Sequence, residues 1–296
     1  MNPWLPTAPC TPLACAGHDG RVRGRPAAVA LLLAGCAFVL AGALGAPFAL
    51  MLGATQRERL IRRWAYGVVR AFGVRVRVVG APEAVAPGAL VVANHISWLD
   101  IPLVAAVFPG RMLAKSEIRD WPLLGRLAAA GGTLFVERDR FRALPATVGR
   151  IAAALRGGSR VVVFPEGTTW CGRGGGRFGP AVFQAAIDAD ATVRPVRISY
   201  RTPPPPHGSA AARPPGHDGS APAEHYAPAG AAAFVGDDPL TASLWRVVTA
   251  AGLTAEIRVL PPIAAGDGPD RRALARLAQT AVANDSANRS AESVHH

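Results

Sequence analysis

Between Pro26 and Gln56 the chain carries no charged side chain, and no other feature restricts its fold as much. Ala27 to Ala54 is almost wholly Ala, Leu, Val, Gly and Phe. As one straight helix it would be about 42 Å long against roughly 30 Å of bilayer hydrocarbon, too long to cross without tilt. Pro47, shortly after Gly45, predicts a break that leaves an apolar helix over Ala27 to Leu44 and a shorter second leg. Arg21, Arg23 and Arg25 precede the run, and Arg57, Arg59, Arg62 and Arg63 follow it. A simple span puts one of these clusters on the wrong side of the membrane, whereas a bent segment returns both to one face. The expectation is an apolar membrane helix or re-entrant segment near the N-terminus, with the re-entrant form preferred. Leu33-Ala34-Gly35-Cys36 resembles a lipoprotein processing site, but Ala37 to Leu52 stays apolar where a mature lipoprotein turns polar.

Charge follows the same asymmetry. Residues 1 to 79 hold ten arginines against Asp19 and Glu58, whereas the rest of the chain carries 22 basic against 18 acidic side chains. Basic flanks around an apolar run suit an anionic membrane surface. A nucleic-acid binder would place a basic stripe on a polar domain and interleave it with aromatics, so no nucleic-acid partner is expected. Arg57 to Phe72 reads as an amphipathic helix, with Leu60, Ile61, Trp64, Ala65, Val68 and Phe72 within one arc of about 140° and Arg59, Arg62, Arg63 and Arg70 opposite. It either packs on the following domain or lies on the membrane surface. Cys10, Cys15, Cys36 and Cys171 lack the spacing of a zinc site or a disulfide framework, so no metal is expected.

Beyond residue 72, strand-like runs at 74–78, 89–93, 111–114, 133–136, 160–164, 193–199 and 254–260 alternate with helical patterns at 101–108, 118–130, 141–156, 181–189 and 240–250. That alternation predicts an α/β layered fold, a mostly parallel sheet flanked by helices. Thr202 to Ala233 interrupts it with eight prolines, ten alanines and four glycines, a composition that predicts a flexible surface insertion. His207, His217 and His225 within it match no ligand spacing. The predicted organisation is a flexible tail at 1–25, an anchor and amphipathic helix at 26–72, an α/β domain at 73–284 with the insertion at 202–233, and a polar tail at 285–296.

Asn94-His95-Ile96-Ser97-Trp98-Leu99-Asp100 follows directly on a buried strand, which puts His95 where α/β folds present functional groups. Pro102 favours a helix beginning near Asp100, and a turn between the two residues would return the carboxylate to the imidazole. Such a pair removes a proton from a hydroxyl: the carboxylate sets the tautomer, and the other ring nitrogen is the base. With seven histidines and twelve aspartates, about 0.3 such spacings are expected by chance, so a strand-end histidine beside a helix cap stays open as the alternative. Phe164-Pro165-Glu166-Gly167-Thr168-Thr169 also ends an apolar strand, and Glu166 is expected to face a cleft at the same sheet edge.

Together these elements resemble the glycerolipid acyltransferase family, that of the lysophosphatidic acid acyltransferases. Asn94 to Asp100 is similar to the family's His-x-x-x-x-Asp block, and Lys115-Ser116-Glu117-Ile118 with Pro122, Gly125, Gly132, Phe135 and Arg138 to its second. Phe164 to Thr168 resembles the third block and Val193-Arg194-Pro195-Val196 the fourth. The four occur in family order over about residues 73 to 200, so the resemblance makes 73–284 an acyltransferase domain. The resemblance implies transfer of a fatty acyl group from an acyl-CoA or acyl carrier protein thioester to the hydroxyl of 1-acylglycerol-3-phosphate or a related lysophospholipid, without cofactor or metal. It implies His95 as general base, Asp100 as its orienting partner, and Lys115, Arg138, Glu166, Gly167 and Thr168 on the acceptor side. The cell membrane, with the site on its cytoplasmic face, is the expected location, and membrane lipids are the expected partners; oligomeric state is left open. Phosphatidic-acid-forming members usually have arginine where this chain has Thr169, and a hydroxyl cannot make the bidentate phosphate contact of a guanidinium. Arg173 or Arg177 would have to substitute, or the acceptor is a phosphorus-free lyso lipid such as lyso-ornithine lipid. A thioesterase or lysophospholipase using the same pair on water is the remaining enzymatic alternative.

Overall fold

The computed structural model describes residues 6–18, 20–82, 85–137, 140–203, 230–266 and 270–292. Among the described residues seven strands form one sheet: β1 (Arg75–Val79), β2 (Leu90–Ala93), β3 (Arg111–Lys115), β4 (Leu134–Val136), β5 (Val161–Val163), β6 (Val193–Arg201) and β7 (Thr254–Val259). Their order across the sheet is β1-β7-β6-β2-β5-β3-β4. Every neighbouring pair is parallel except β6 and β7, so the central strands β2 and β5 send their carboxyl ends to the same edge.

Strands covered on both faces must be apolar throughout, and β2 and β5 are. Val91 and Ala93 face one layer with Val162, Ile198 and Tyr200, under α3 (Ala54–Ala71), α4 (Asp100–Val107) and α8 (Leu240–Thr249). Leu90 and Val92 face the other with Val161 and Val163, under α6 (Leu144–Arg156), α7 (Ala181–Asp188) and α9 (Arg271–Glu292). Each fully buried Leu, Ile or Val contributes roughly 1.5–3 kcal/mol. The expected strands and helices recur within a few residues of their predicted bounds, except that the second-block helix is split into a 3₁₀ turn at Ser116–Asp120 and α5 (Leu124–Ala130). The short α1 (Pro12–Cys15) carried no apolar period and was not expected.

Two expectations at the N-terminus are corrected. The apolar run is one unbroken helix, α2 (Arg25–Leu50), with Pro47 inside it. Proline removes only its own N–H bond and crowds one preceding carbonyl, a small defect when the helix ends within a turn anyway. The chain reverses instead at Met51 to Gly53, and α3 returns alongside α2. Glycines allow the close approach: a Cβ on Gly35 would lie 2.4 Å from the Phe72 ring, on Gly42 2.2 Å from Trp64, and on Gly67 2.6 Å from Phe38. The paired numbers run in opposite directions, which defines an antiparallel hairpin. Arg23, counted with the lipid-facing cations, is instead docked in the domain. Its guanidinium donates to the carbonyls of Val248, Ala250 and Gly73 at 2.9, 2.7 and 2.8 Å, because the last turn of α8 leaves carbonyls without helical partners.

In α3 and at its C-cap, Ala65, Val68 and Phe72 are buried while Leu60 and the arginines at 59, 62, 63 and 70 stay exposed. The packed reading of this helix thus holds for its second half. α2 keeps Leu33, Phe38, Leu40, Leu44 and Phe48 exposed, and among the described residues it is the one helix long and apolar enough to cross a membrane. The Pro/Ala-rich insertion falls outside the described residues over 204–229. Its last members, Gly230 to Ala233, are buried, with Gly230 set against the backbone of Cys15 and Gly17.

Gly35→Ala is expected to destabilise the detergent-solubilised protein by about 1–3 kcal/mol, since Phe72 is fixed edge-on to Trp98 and cannot retreat. Gly45→Ala, with nothing within 4 Å of the added carbon, is expected to leave the thermal midpoint unchanged or raise it.

Candidate active site

Where β2 leaves the sheet, Asn94 continues the ladder with its side chain. Its Oδ1 accepts from the Ile198 N–H at 2.8 Å and its Nδ2 donates to the Ile198 carbonyl at 2.9 Å, clamping β2 to β6 at the exit point. The next residue is His95. Its N–H donates to Glu166 Oε2 at 2.7 Å and its carbonyl accepts from the Trp170 N–H at 2.8 Å, so the loop after β5 holds its backbone on both sides. The imidazole stacks on Phe164, centroids 4.2 Å apart at 19°.

A turn over Ile96 to Leu99 brings Asp100, the first residue of α4, back beneath the ring. Asp100 Oδ2 lies 2.8 Å from His95 Nδ1 and also accepts from the N–H groups of Ile96 and Ser97 at 2.6 and 2.9 Å. Its other oxygen accepts from the Tyr200 hydroxyl at 2.6 Å. Asp100 is sealed, whereas the His95 side chain is 21% exposed. The carboxylate's bonds fix where Nδ1 points, and Nε2 on the far side of the ring is left for a substrate. Burial, together with the neighbouring Asp100 charge, pushes the Tyr200 phenol well above its ordinary range, so it stays a proton donor to the carboxylate.

Glu166 occupies a different place from the cleft-facing one expected of it. It is buried, and its two oxygens accept from His95 N–H and from Gly176 N–H, the latter at 2.9 Å. The Gly-rich loop closes over it so tightly that a Cβ on Gly175 would stand 2.8 Å from Oε1. Burial raises its pKa to about 7 against the lowering effect of the two N–H donors, with the Asp100 charge adding to the rise. Glu166 therefore ties the His95 backbone to the loop at 172–179.

Gly167 takes a left-handed φ of +72°, and Pro6 from the N-terminal segment lies over it, 2.5 Å from where a Cβ would be. Thr168 is half-buried beside it. Thr169 donates its hydroxyl to the Phe234 carbonyl, and Arg173 and Arg177 are exposed on the loop. Lys115 is exposed at the carboxyl end of β3, the same edge of the sheet as His95 and Glu166. Arg138 lies outside the described residues, and Glu137 pairs with Arg140 at 3.2 Å.

Tyr200 was not anticipated. Its signal was available, since Val196, Ile198 and Tyr200 share one face of a strand with period two, but the strand was expected to end at residue 199. An accessible imidazole hydrogen-bonded to a sealed carboxylate can serve acyl transfer or hydrolysis.

A family model described as Acyltransferase matches residues 75–199. The chain is 38% identical over 226 residues to the lyso-ornithine lipid O-acyltransferase of Pseudomonas aeruginosa, covering 76% of this chain and 78% of that one. It is 35% identical over 220 residues to the 1-acyl-sn-glycerol-3-phosphate acyltransferase of Neisseria meningitidis serogroup B, covering 74% of this chain and 77% of that one. The crystal structure of the 1-acyl-sn-glycerophosphate acyltransferase from Thermotoga maritima superposes with a TM-score of 0.61 at 18% identity, over 88% of this chain and 93% of that one, and so shares the fold. The chain belongs to the glycerolipid acyltransferase family and is an acyltransferase.

Two outcomes test this geometry. Tyr200→Phe is expected to cost about 1.5–3 kcal/mol of stability, read as a lowered denaturation midpoint, because it leaves one oxygen of a sealed carboxylate unpaired. For Glu166, the folded carboxyl holds its proton up to about pH 7 and the unfolded one releases it near 4.5, so the folded state binds more protons between those values. Its contribution is complete below the lower value and is lost as pH rises through the upper one. Thermal midpoints across that window should fall less steeply in Glu166→Gln than in the parent.

Proposed function

We propose that this acyltransferase moves a fatty acyl group from an acyl-CoA or acyl carrier protein thioester to the hydroxyl of 1-acylglycerol-3-phosphate or a related lysophospholipid, at the cytoplasmic face of the cell membrane. The observation that carries the reading is the asymmetric pair: a sealed, fully hydrogen-bonded Asp100 under an accessible His95. His95 Nε2 removes the proton of the acceptor hydroxyl as its oxygen attacks the thioester carbonyl. The tetrahedral intermediate collapses with loss of the thiolate, which takes the proton back from the imidazolium. A thiolate is a good leaving group, so the cycle asks little of the acid step, and a general base supplies roughly 10² to 10⁴ in rate. Nothing in it requires an acyl-enzyme.

The exposed apolar residues of α2 and the arginines of α3 support a membrane-bound enzyme that meets its lyso lipid in the bilayer. Lys115, at the same sheet edge as His95, is offered to an anionic head group, with Arg138, Gly167 and Thr168 as further acceptor-side residues and Glu166 acting by holding the loops. A specific observation favours a second acceptor. Thr169 spends its hydroxyl on the Phe234 carbonyl and offers no cation, which suits a phosphorus-free lyso-ornithine lipid.

Purified protein given an acyl thioester should release free thiol only with a lyso lipid present, and His95→Ala should lower the rate by about 10² to 10⁴ without loss of fold. A two-chain lipid as product supports transfer, and free fatty acid would instead mean hydrolysis. Parallel assays with 1-acylglycerol-3-phosphate and lyso-ornithine lipid decide the acceptor.

A further inference from the structure

Three cysteines far apart in sequence meet beside the site. Cys10 and Cys15 flank the N-terminal turn capped by Thr11, and Cys171, 156 residues after Cys15, follows Trp170, whose N–H holds the His95 carbonyl. All are free thiols, and their sulfur atoms lie within 4.8 Å of one another. Cys10 and Cys171 are buried, in a small core with Ala233 and Val235, while Cys15 is half-buried.

Three free sulfurs converging within 4.8 Å of one another form a donor set for a soft cation. Metal-bound thiolates carry full charge. Three thiolates and a divalent ion leave one net negative charge, and Arg173 places a compensating cation next to Cys171. The backbone is shaped to the cluster: a Cβ on Gly230 would stand 2.6 Å from the Cys15 carbonyl, and one on Gly236 3.4 Å from that of Cys10. Short-range spacing carried no hint of this, since the third ligand arrives only through the fold.

We propose that Cys10, Cys15 and Cys171 bind one zinc ion as three thiolate ligands, with a fourth position open to water on the Cys15 side, and that the ion fastens the N-terminal segment across the loop carrying Glu166 and Gly167. Pro6, seated on Gly167, is the contact this fastening holds in place. The proposal is independent of which lipid is acylated, and its readout is metal content and spectroscopy rather than turnover.

The full chain, purified in detergent with a non-chelating reductant and stripped by a chelator, is titrated with Co²⁺ and then Zn²⁺. The expected result is a set of intense thiolate-to-cobalt charge-transfer bands that are abolished by about one equivalent of Zn²⁺. Cys15→Ser and Cys171→Ser, checked for native circular dichroism, should lose the bands, and Cys36→Ser should keep them. Should a serine variant fail to fold, stripping the wild-type chain must still lower its thermal midpoint and zinc must restore it. Wild-type protein without charge-transfer bands in excess Co²⁺, bands unchanged in folded Cys171→Ser, or a disulfide among these cysteines in freshly lysed cells would each overturn the proposal.

Discussion

The buried carboxylate of Asp100 is the interaction on which the site depends. It accepts from His95, Ile96, Ser97 and Tyr200, groups contributed by the loop after β2 and by the neighbouring strand β6. A sealed carboxylate without such donors would be costly to keep in the interior, so the same bonds that stabilise it also fix the loop. The loop conformation in turn sets the direction of the His95 ring. Orientation of the imidazole and satisfaction of the buried carboxylate are therefore one structural requirement.

Around this centre the parallel sheet does the positioning. β2 and β5 end side by side, which places His95 and Glu166 within reach of each other although they are far apart in sequence. Glu166 joins the histidine backbone to the Gly-rich loop, and Trp170 and Phe234 add backbone bonds to His95 and Ile96. The N-terminal segment lies over Gly167 at the same place. The region preceding α2 thus belongs to the architecture of the site, although its composition suggested a loose tail.

Much of this was legible in the order of residues. The apolar runs at 89–93 and 160–164 announced buried parallel strands because only strands covered on both faces dispense with polar alternation. Pro102 marked the first turn of α4, and the spacing of His95 and Asp100 matched one loop turn. Other features were not legible. Pro47 signalled a break that the helix absorbs near its end, and Arg23 was grouped with lipid-facing cations because nothing local reveals that α8 leaves carbonyls to bind it. Glu166 looked cleft-facing because its two N–H partners come from residues 71 positions before it and ten after.

Periodicity and motif spacing determined the layered α/β fold, the apolar character of the N-terminal arm and the pairing of His95 with Asp100. These are local properties, written in nearest-neighbour sterics and in which faces must avoid water. The tertiary structure alone decided that Tyr200 completes the acid's hydrogen bonds, that Glu166 turns inward, and that Cys10 and Cys15 meet Cys171. Those contacts join segments separated by up to 161 residues, and their energies depend on burial and on donors that exist only once the sheet has assembled.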